Sequence, residues 1–379
     1  MKFINIFYFS LFFIQILSAD CSDLNYDDCE YWGCYWNDET QECSEVGGGG
    51  EIEYGPYTFS LITEADGLRN GPDYNDGLLF YPDNAELPYK PIIFTPGYGG
   101  GSSTMSVWGE IFASYGFISL VIGPNDQEND SWEQRAFGLI DAVSTIKAEH
   151  FRIGSPLYNI IDTTGFIIAG YSMGGGASQV ALTLESQHQN VIKGSIALNP
   201  TLVFEDCNAC SEYNNCFCII PEFLNHEIPT LIIDGQNALN DLDVVYDGFI
   251  GQDIYANTPE TTLKVFYEIE NGGHGSAEFP EGNIIGIALT WASYLLIDNE
   301  SFCESLLVFP DDASQYSTTL QCGESFSYDF NEDGDINNAD LVLLVIAILN
   351  SSEIDFDINN DQSTNIFDLL IFSSFLNNI

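Results

Sequence analysis

The stretch Phe166-Ile-Ile-Ala-Gly-Tyr-Ser-Met-Gly-Gly-Gly176 decides how the rest of the chain is interpreted. Apolar, mostly β-branched residues run into Gly170-Tyr-Ser-Met-Gly174, which has the pattern G-x-S-x-G. A strand signal over 165–169 and a helix signal over 175–186 flank the serine. The pattern therefore predicts a strand that turns sharply into a helix, and this turn lifts the Ser172 hydroxyl to where a base and an electrophile can reach it. The alternative is a glycine-rich turn with an idle serine.

From residue 54 the pattern alternates between strands and helices. The central strands are continuous apolar runs, as expected when helices cover both faces of a sheet. We therefore predict an α/β fold with a doubly wound, mostly parallel sheet, in which ligands bind at the carboxyl ends of the strands. Strands are predicted over 57–62, 77–81, 90–95, 117–122, 165–169, 192–197, 229–234 and 263–269, and helices over 104–114, 132–149, 175–186 and 284–296.

A serine nucleophile needs a base to take its proton, and the chain has only four histidines. We predict His274 as the base, because it directly follows the last predicted strand of the sheet in the loop Asn271-Gly-Gly-His-Gly-Ser276. Its place gives the order serine, acid, histidine. His150 and His188 lie near predicted helix ends and are expected at the surface, and His226 lies in a connecting loop.

The acid that orients the histidine ring should follow the strand predicted over 229–234. We select Asp241 for this role. Asp243 is also in reach, Asp234 still belongs to the strand, and Asp206, after the preceding strand, is an outside candidate.

The negative oxygen of a tetrahedral intermediate needs N–H donors, which form an oxyanion hole. One donor would be the backbone N–H of Met173, the residue after the serine. The other would be that of Tyr98 in the loop Thr95-Pro-Gly-Tyr-Gly-Gly-Gly101, with the tyrosine ring as one wall of the acyl cleft. The loop is also a tight turn, which is compatible with this role.

Four stretches in this order carry a resemblance over about residues 54–323. Together they resemble the cutinase-like polyester hydrolases and their dienelactone-hydrolase relatives. The resemblance implies an α/β-hydrolase fold with Ser172 as nucleophile, His274 as base and the Tyr98 and Met173 amides as oxyanion hole. It also implies a disulfide between Cys303 and Cys322. The stretches are Pro96-Gly-Tyr98, Gly154-Ser-Pro-Leu-Tyr158 with Asp162-Thr-Thr-Gly-Phe166 and the serine motif, Pro229-Thr-Leu-Ile-Ile233, and Asn271-Gly-Gly-His274.

Two positions depart from the family pattern. The family's acid lies nine residues after the strand proline, where this chain has Ala238, and the substrate-clamping tryptophan is replaced by Thr201. The implied function is a serine carboxylic ester hydrolase of the cutinase, lipase or polyesterase kind, acting on a small ester, a lipid or a polyester without a catalytic cofactor. The alternatives are a serine peptidase and, because the acid is displaced, an inactive binding or scaffold protein of the same fold.

The amino-terminal part predicts an exported protein. Residues 1–19 have a lysine followed by an apolar run and small residues, typical of a signal peptide, and the run is short for a membrane anchor. Residues 20–46 form a small cysteine-rich module and 47–53 a glycine-rich linker before the catalytic domain, 54–323. The cysteines between 207 and 218 are predicted to form disulfides, with zinc as the alternative.

Two acidic loops, 28 residues apart, predict calcium binding near the carboxyl terminus. In each, oxygen-bearing side chains recur at the positions that ligate calcium in a twelve-residue loop, and an apolar helix follows. The second loop has Gln362 where the first has the turn glycine, Gly334. The predicted ligands are Asp329, Asn331, Asp333, Asp335, Asn337 and Asp340 in the first loop, and Asp357, Asn359, Asp361, Ser363, Asn365 and Asp368 in the second.

The paired loops, within residues 326–379, resemble a type I dockerin. The resemblance implies a calcium-dependent helical module that docks onto a cohesin domain of a scaffold, through positions that correspond here to Asn338, Ala339, Ile366 and Phe367. The alternative is an intramolecular calcium staple.

The charge of the chain limits its partners. It has 8 Lys and Arg against 57 Asp and Glu, a formal net charge of −49. Such a surface repels phosphate backbones and anionic lipid headgroups, so neither nucleic acid nor an anionic membrane is an expected partner.

Overall fold

The computed structural model describes residues 34–37, 42–45, 52–184, 186–203, 224–242, 248–297, 299, 301–322, 330, 331, 333, 336–350, 356 and 364–376. The strands are β1 (Cys34–Asn37), β2 (Glu42–Glu45), β3 (Phe59–Ile62), β4 (Gly77–Pro82), β5 (Lys90–Thr95), β6 (Phe117–Ile122), β7 (Phe166–Tyr171), β8 (Ile192–Leu198), β9 (Thr230–Gly235), β10 (Lys264–Ile269) and β11 (Ala313–Thr318). The helices are α1 (Ser106–Ser114), α2 (Trp132–Phe151), α3 (Met173–Ala181), α4 (Gly251–Asn257), α5 (Asn283–Leu296), α6 (Ser301–Ser305), α7 (Asn338–Asn350) and α8 (Ile366–Leu376).

One large sheet organises the described part of the chain, in the order β11-β10-β9-β8-β7-β5-β6-β4-β3. The six strands from β10 to β6 run parallel to one another. The outer strands β11, β4 and β3 are each antiparallel to the neighbour on their inner side. The carboxyl ends of the central strands consequently meet along one edge, where the loops after β5, β7, β8, β9 and β10 lie side by side.

Both faces of this sheet are buried, which explains why its central strands contain continuous apolar runs. Ile93 and Ile168 face one hydrophobic core, while their chain neighbours Ile92 and Ile167 face the other. Side chains alternate between faces along a strand, so two covered faces require continuous apolar runs. The helices α2 and α3 contribute to the first core, and α1 and α5 to the second.

The predicted mostly parallel α/β architecture is confirmed, with element bounds within about two residues for most elements. Strands β1, β2 and β11 and helices α4 and α6 were not predicted. Strand β11 is polar in sequence and half-buried throughout, and helix α4 has seven residues and begins at a glycine, so neither carries a strong periodic signal. Helix α3 begins at Met173 and ends at Ala181, earlier at both ends than predicted; the Thr183 hydroxyl donates to the Val180 carbonyl just beyond its end.

The disulfide between Cys303 and Cys322, implied by the resemblance, is confirmed. At the amino-terminal side β1 and β2 form an antiparallel pair. The predicted signal peptide over 1–19, the linker residues 47–51 and the cysteines from 207 to 218 lie outside the described residues, and the predicted module boundaries stay predictions. None of the helices that the structure describes is long and apolar enough to cross a bilayer.

Candidate active site

Ser172 lies between the end of β7 and the start of α3, as the motif predicts. Its backbone has φ +52° and ψ −119°, a conformation that residues other than glycine rarely adopt. Hydrogen bonds stabilise it: the Ser172 N–H donates to the Leu198 carbonyl at 2.8 Å, and the Ser172 carbonyl accepts from the Thr201 N–H at 3.0 Å. The flanking glycine is required, because a Cβ on Gly174 would lie 2.3 Å from the Thr95 carbonyl oxygen. The turn therefore holds its serine in a strained, half-buried position.

The ring of His274 contacts this serine. His274 begins a short 3-10 helix, His274–Ala277, directly after β10, and its Nε2 lies 2.9 Å from the Ser172 Oγ. Burial lowers the pKa of His274 below its usual 6.5, while the negative charge of Asp241 acts in the opposite direction. A ring that is neutral at pH 7 can accept the serine proton, so this pair has the geometry and the protonation state of a nucleophile and its base.

Asp241 lies against the histidine loop. It ends the 3-10 helix Ala238–Asp241, and its Oδ2 accepts a hydrogen bond from the backbone N–H of His274 at 2.9 Å. A 3-10 helix has three residues per turn, so Asp241 lies on the same side as Ala238, the position of the family's acid. A carboxylate placed one helical turn after Ala238 thus still reaches the histidine loop. The contact is with the loop backbone, and the carboxylate acts on the ring through its charge.

The other acid candidates do not contact the histidine in the described structure. Asp234 is only 2% exposed at the end of β9, where it accepts from the Asn199 side chain and from the N–H of Gly235. Burial raises the pKa of the Asp234 carboxyl to about 7. Asp243 and Asp206 lie outside the described residues.

Asn199, which follows β8, is a residue of the site that sequence reasoning missed. It is fully buried with φ +39°. Its Nδ2 donates to the Gly273 carbonyl at 3.1 Å and to Asp234 at 3.2 Å, and its Oδ1 accepts from the Ala277 N–H at 2.8 Å. One amide therefore joins the ends of β8 and β9 to both ends of the loop that carries the histidine. An asparagine two residues after the end of a predicted strand was the available signal, since Asn tolerates positive φ.

The candidate oxyanion-hole loop lies against the serine. A Cβ on Gly97 would be 3.0 Å from the Ser172 Cβ. The Tyr98 N–H has no hydrogen-bond partner within the described ranges, and the Tyr98 side chain is 68% exposed beside the site. Met173 is the first residue of α3, so its N–H is one of the free donors at a helix start. The oxyanion-hole role of these two N–H groups stays a prediction.

The remaining histidines lie elsewhere. His150 accepts from the Ile161 N–H at the end of α2. His188 is only 8% exposed and bonds the Ser144 hydroxyl, so the expectation of a surface position was wrong for this residue. His226 is buried, and burial lowers its pKa to about 4.

The carboxyl-terminal loops are described in part. Asp340 and Asp368 are both fully buried near the starts of α7 and α8, and each accepts from the N–H of the asparagine three residues before it, at 2.9 and 2.6 Å. This matching geometry fits a repeated loop whose last carboxylate points inward. The predicted metal-ligand atoms of both loops are all oxygen, which calcium prefers. No group of three His, Cys, Asp or Glu side chains able to hold a metal occurs in the described portion, and the predicted ligands Asp329, Asp335, Asp357, Asn359, Asp361 and Ser363 lie outside it.

Comparison with known proteins gives one family match and several relatives. The sequence model of the family described as "PETase: PET hydrolase-like" matches residues 51–322. Cutinase est1 of Thermobifida alba is 25% identical over 278 residues, which are 71% of this chain and 82% of that protein. Cutinase cut1 of Thermobifida fusca is 24% identical over 264 residues, 69% of this chain and 72% of that protein. Lipase 1 of Moraxella sp. (strain TA144) is 27% identical over 218 residues, 57% and 58% of the two chains.

Proposed function

The chain belongs to the PET hydrolase-like family of carboxylic ester hydrolases, and from that premise we propose that it cleaves esters through a covalent acyl-enzyme on Ser172. The observation that carries the proposal is the 2.9 Å contact between the His274 Nε2 and the Ser172 Oγ. Two functions compete with this proposal: a serine peptidase with the same site geometry, and an inactive scaffold protein of the same fold.

The reaction proceeds in two steps. The Ser172 Oγ attacks the ester carbonyl while the His274 Nε2 takes its proton, and the carbonyl oxygen becomes negative. The N–H groups of Tyr98 and Met173 stabilise that oxygen. His274 then protonates the leaving alcohol, which leaves an acyl group on the serine. A water molecule, activated by the same histidine, releases the acid and restores the enzyme.

Asp241 has two effects in this proposal. Its carboxylate accepts from the His274 N–H, which holds the loop in place, and its charge stabilises the imidazolium that forms when the ring takes the proton. Asp243, outside the described residues, stays the alternative for the acid.

The substrate that best fits the site is a neutral ester. The formal net charge of −49 disfavours anionic substrates and favours departure of a carboxylate product. Thr201, which replaces the family's clamping tryptophan, is only 6% exposed and presents little surface to a substrate. The exposed ring of Tyr98 supplies the apolar wall instead, against which the acyl group of a small ester, a lipid or a polyester would pack.

The test compares the wild-type protein with Ser172→Ala. We expect turnover of p-nitrophenyl butyrate but not of a peptide p-nitroanilide, labelling of Ser172 by a fluorophosphonate, and loss of both in the variant. Turnover of the anilide at a comparable rate would indicate a peptidase. A folded wild type that neither turns over esters nor reacts with the fluorophosphonate would indicate an inactive scaffold.

We further propose that the protein is exported and that its carboxyl-terminal loops bind calcium to form a docking module for a cohesin-like domain. The inward carboxylates of Asp340 and Asp368 support this part of the proposal. Calorimetric titration should detect calcium binding that is lost in the double variant Asp340→Ala/Asp368→Ala. Binding to a cohesin-like domain should require calcium and disappear with EGTA. Calcium binding without any such association would leave the calcium staple as the function of the loops.

A further inference from the structure

Arg135 is a buried cation next to the candidate oxyanion-hole loop. It lies in the first turns of α2 and is only 2% exposed. Its Nη1 donates to the carbonyl oxygens of Pro96 at 3.1 Å and Gly97 at 3.2 Å, and its Nη2 donates to the Gln127 carbonyl at 2.8 Å. It forms no ion pair with any described carboxylate. The negative charges of Asp130 and Asp126 act on the guanidinium from a longer distance. A guanidinium buried without a direct ion pair is still costly, so its contacts with this loop call for an explanation.

The contact with Gly97 determines where the next N–H points. In a planar trans peptide the C=O and the following N–H point in opposite directions. Because the Gly97 carbonyl points at Arg135, the Tyr98 N–H points away from Arg135. It has no partner in the portion of the chain that is described, and the Cβ position of Gly97 is 3.0 Å from the Ser172 Cβ. The free donor therefore faces away from Arg135, in a loop whose Gly97 lies against Ser172, the residue next to which a reacting carbonyl would sit.

Arg135 also holds the next residues through Gln127. The Gln127 carbonyl accepts both from the Arg135 Nη2 and from the Gly99 N–H, the latter at 2.9 Å. The loop is thus fixed on both sides of Tyr98, directly before it and through Gln127 after it. Glycines at 97 and 99 leave this segment little intrinsic rigidity, so the orientation of the peptide depends on these contacts.

We propose that Arg135 is a positioning residue of the oxyanion hole, which acts by holding the Gly97 carbonyl so that the Tyr98 N–H faces the reacting carbonyl. The inference rests on the proposed function, because an oxyanion hole matters only if Ser172 attacks a carbonyl. Its effect is confined to the step in which negative charge develops on the substrate oxygen, so it should change kcat more than KM.

The test uses Arg135→Met, which removes all N–H donors, and Arg135→Lys, which keeps one donor group. The matched control is Arg69→Met. Arg69 also hydrogen-bonds to helix α2, at Asp141 and Thr145, but it is not part of the site. The readouts are kcat and KM for p-nitrophenyl butyrate, the inhibition constant of an alkyl boronic acid, whose tetrahedral adduct places an oxygen in the oxyanion hole, and the midpoint of thermal unfolding.

We expect Arg135→Met to lower kcat by about 10²-fold, within the range for loss of one oxyanion-hole donor, with KM changed by less than about threefold. Boronate affinity should fall by a similar factor, and Arg135→Lys should recover part of both. Arg69→Met should unfold at a lower temperature and keep kcat and boronate affinity.

Two results would overturn the inference: a folded Arg135→Met with wild-type kcat, or losses of kcat and boronate affinity no larger than those of Arg69→Met. If Arg135→Met does not fold, Arg135→Lys provides the test, because a single amino group cannot replace both guanidinium contacts. Wild-type kcat and boronate affinity in Arg135→Lys would then refute the inference. The two proposals fail differently. An inactive wild type refutes the proposed function, whereas an active wild type with unaffected Arg135 variants refutes only this inference.

Discussion

Substitution of Asn199 by alanine should damage both stability and catalysis, for separable reasons. The amide bonds the Gly273 carbonyl and the Ala277 N–H, which bracket His274. Its loss leaves the buried Ala277 N–H without a partner, whereas the Gly273 carbonyl keeps a hydrogen bond from the Ser276 hydroxyl at 2.8 Å. An unsatisfied buried donor costs about 1–3 kcal/mol, so we expect a loss of about 1–3 kcal/mol in the free energy of unfolding from the unpaired N–H. Alanine at φ +39° adds about 1 kcal/mol of backbone strain.

The catalytic effect follows from the position of the ring. His274 is the first residue of the 3-10 helix that ends at Ala277, and the Ser172 contact depends on where this helix begins. A displacement of about 1 Å in a reacting pair can cost about 10²-fold in rate. We therefore expect kcat/KM for p-nitrophenyl butyrate to fall by about 10²-fold in Asn199→Ala, and fluorophosphonate labelling of Ser172 to slow in parallel.

Two further variants make the test specific. Asn199→Gly lacks the amide but tolerates positive φ. Because glycine also costs more chain entropy on folding, a stability at or above that of Asn199→Ala would indicate backbone strain in the alanine variant. Gln179→Ala removes another fully buried amide, which bonds Ser195 and Thr230 within the sheet and not in the histidine loop. In urea unfolding this variant should lose comparable stability, yet its kcat/KM should stay within about threefold of the wild-type value. If Asn199→Ala behaves in the same way, the amide supports the fold only, and our account of the histidine loop is wrong.

Four other outcomes are expected. Asp241→Asn should lower kcat/KM by about 10²–10⁴-fold through loss of charge, and Asp241→Ala should lower it further because it also removes the acceptor of the His274 N–H; full activity in both would move the acid to another residue. The acidic limb of the kcat/KM profile should have its midpoint below pH 6.5, because burial lowers the pKa of His274 and the ring must be deprotonated to act; Asp241→Asn should shift this midpoint to still lower pH, and a shift upward would contradict the assignment. The double variant Cys303→Ser/Cys322→Ser should lose about 3 kcal/mol in urea unfolding, as expected for closing a loop with a separation of 19 residues, and an unchanged transition would refute this estimate. Removal of calcium by EGTA should leave esterase kcat unchanged while the far-ultraviolet circular dichroism loses helical signal, and a fall in kcat would show that the metal supports the catalytic site.

Local sequence patterns predicted those parts of the molecule whose causes are local. The Ser172 turn follows from the glycine spacing of its motif, in which a Cβ on Gly170 would lie 2.3 Å from the Gly174 carbonyl oxygen. The apolar runs follow from a sheet covered on both faces. Strand β11 was missed because an antiparallel edge strand that is half-buried at every position needs no apolar alternation. The predicted helix bounds were least accurate at α3. Near its carboxyl end the Thr183 hydroxyl donates to the Val180 carbonyl, and such a side-chain bond leaves no trace in the hydrophobic periodicity.

Contacts between distant segments could not be predicted in this way. Arg135 follows Glu133 and Gln134, so the sequence alone suggests that it belongs to the solvent-exposed face of a helix. Only the fold brings it to the carbonyls of Pro96 and Gly97, 39 and 38 residues away. Asn199 contacts backbone 74 residues further along the chain for the same reason. Asp241, the predicted acid, is an intermediate case: it lies beside the histidine loop, but the 3-10 turn that brings it there was not foreseen.

The candidate site is held together mainly through backbone groups. Asp241 accepts the N–H of His274, the Tyr171 hydroxyl donates to the carbonyl of His274 at 3.1 Å, and Asn199 bonds the residues on either side. The three side chains come from the ends of three different strands, so the histidine loop is fixed relative to the sheet as a whole. Arg135 holds the opposite wall in the same manner, through carbonyl groups. Because these contacts fix the histidine loop through its backbone, the position of the His274 ring does not depend on a single carboxylate. Such a site can therefore tolerate a proposed acid that lies one helical turn from the position usual in the family.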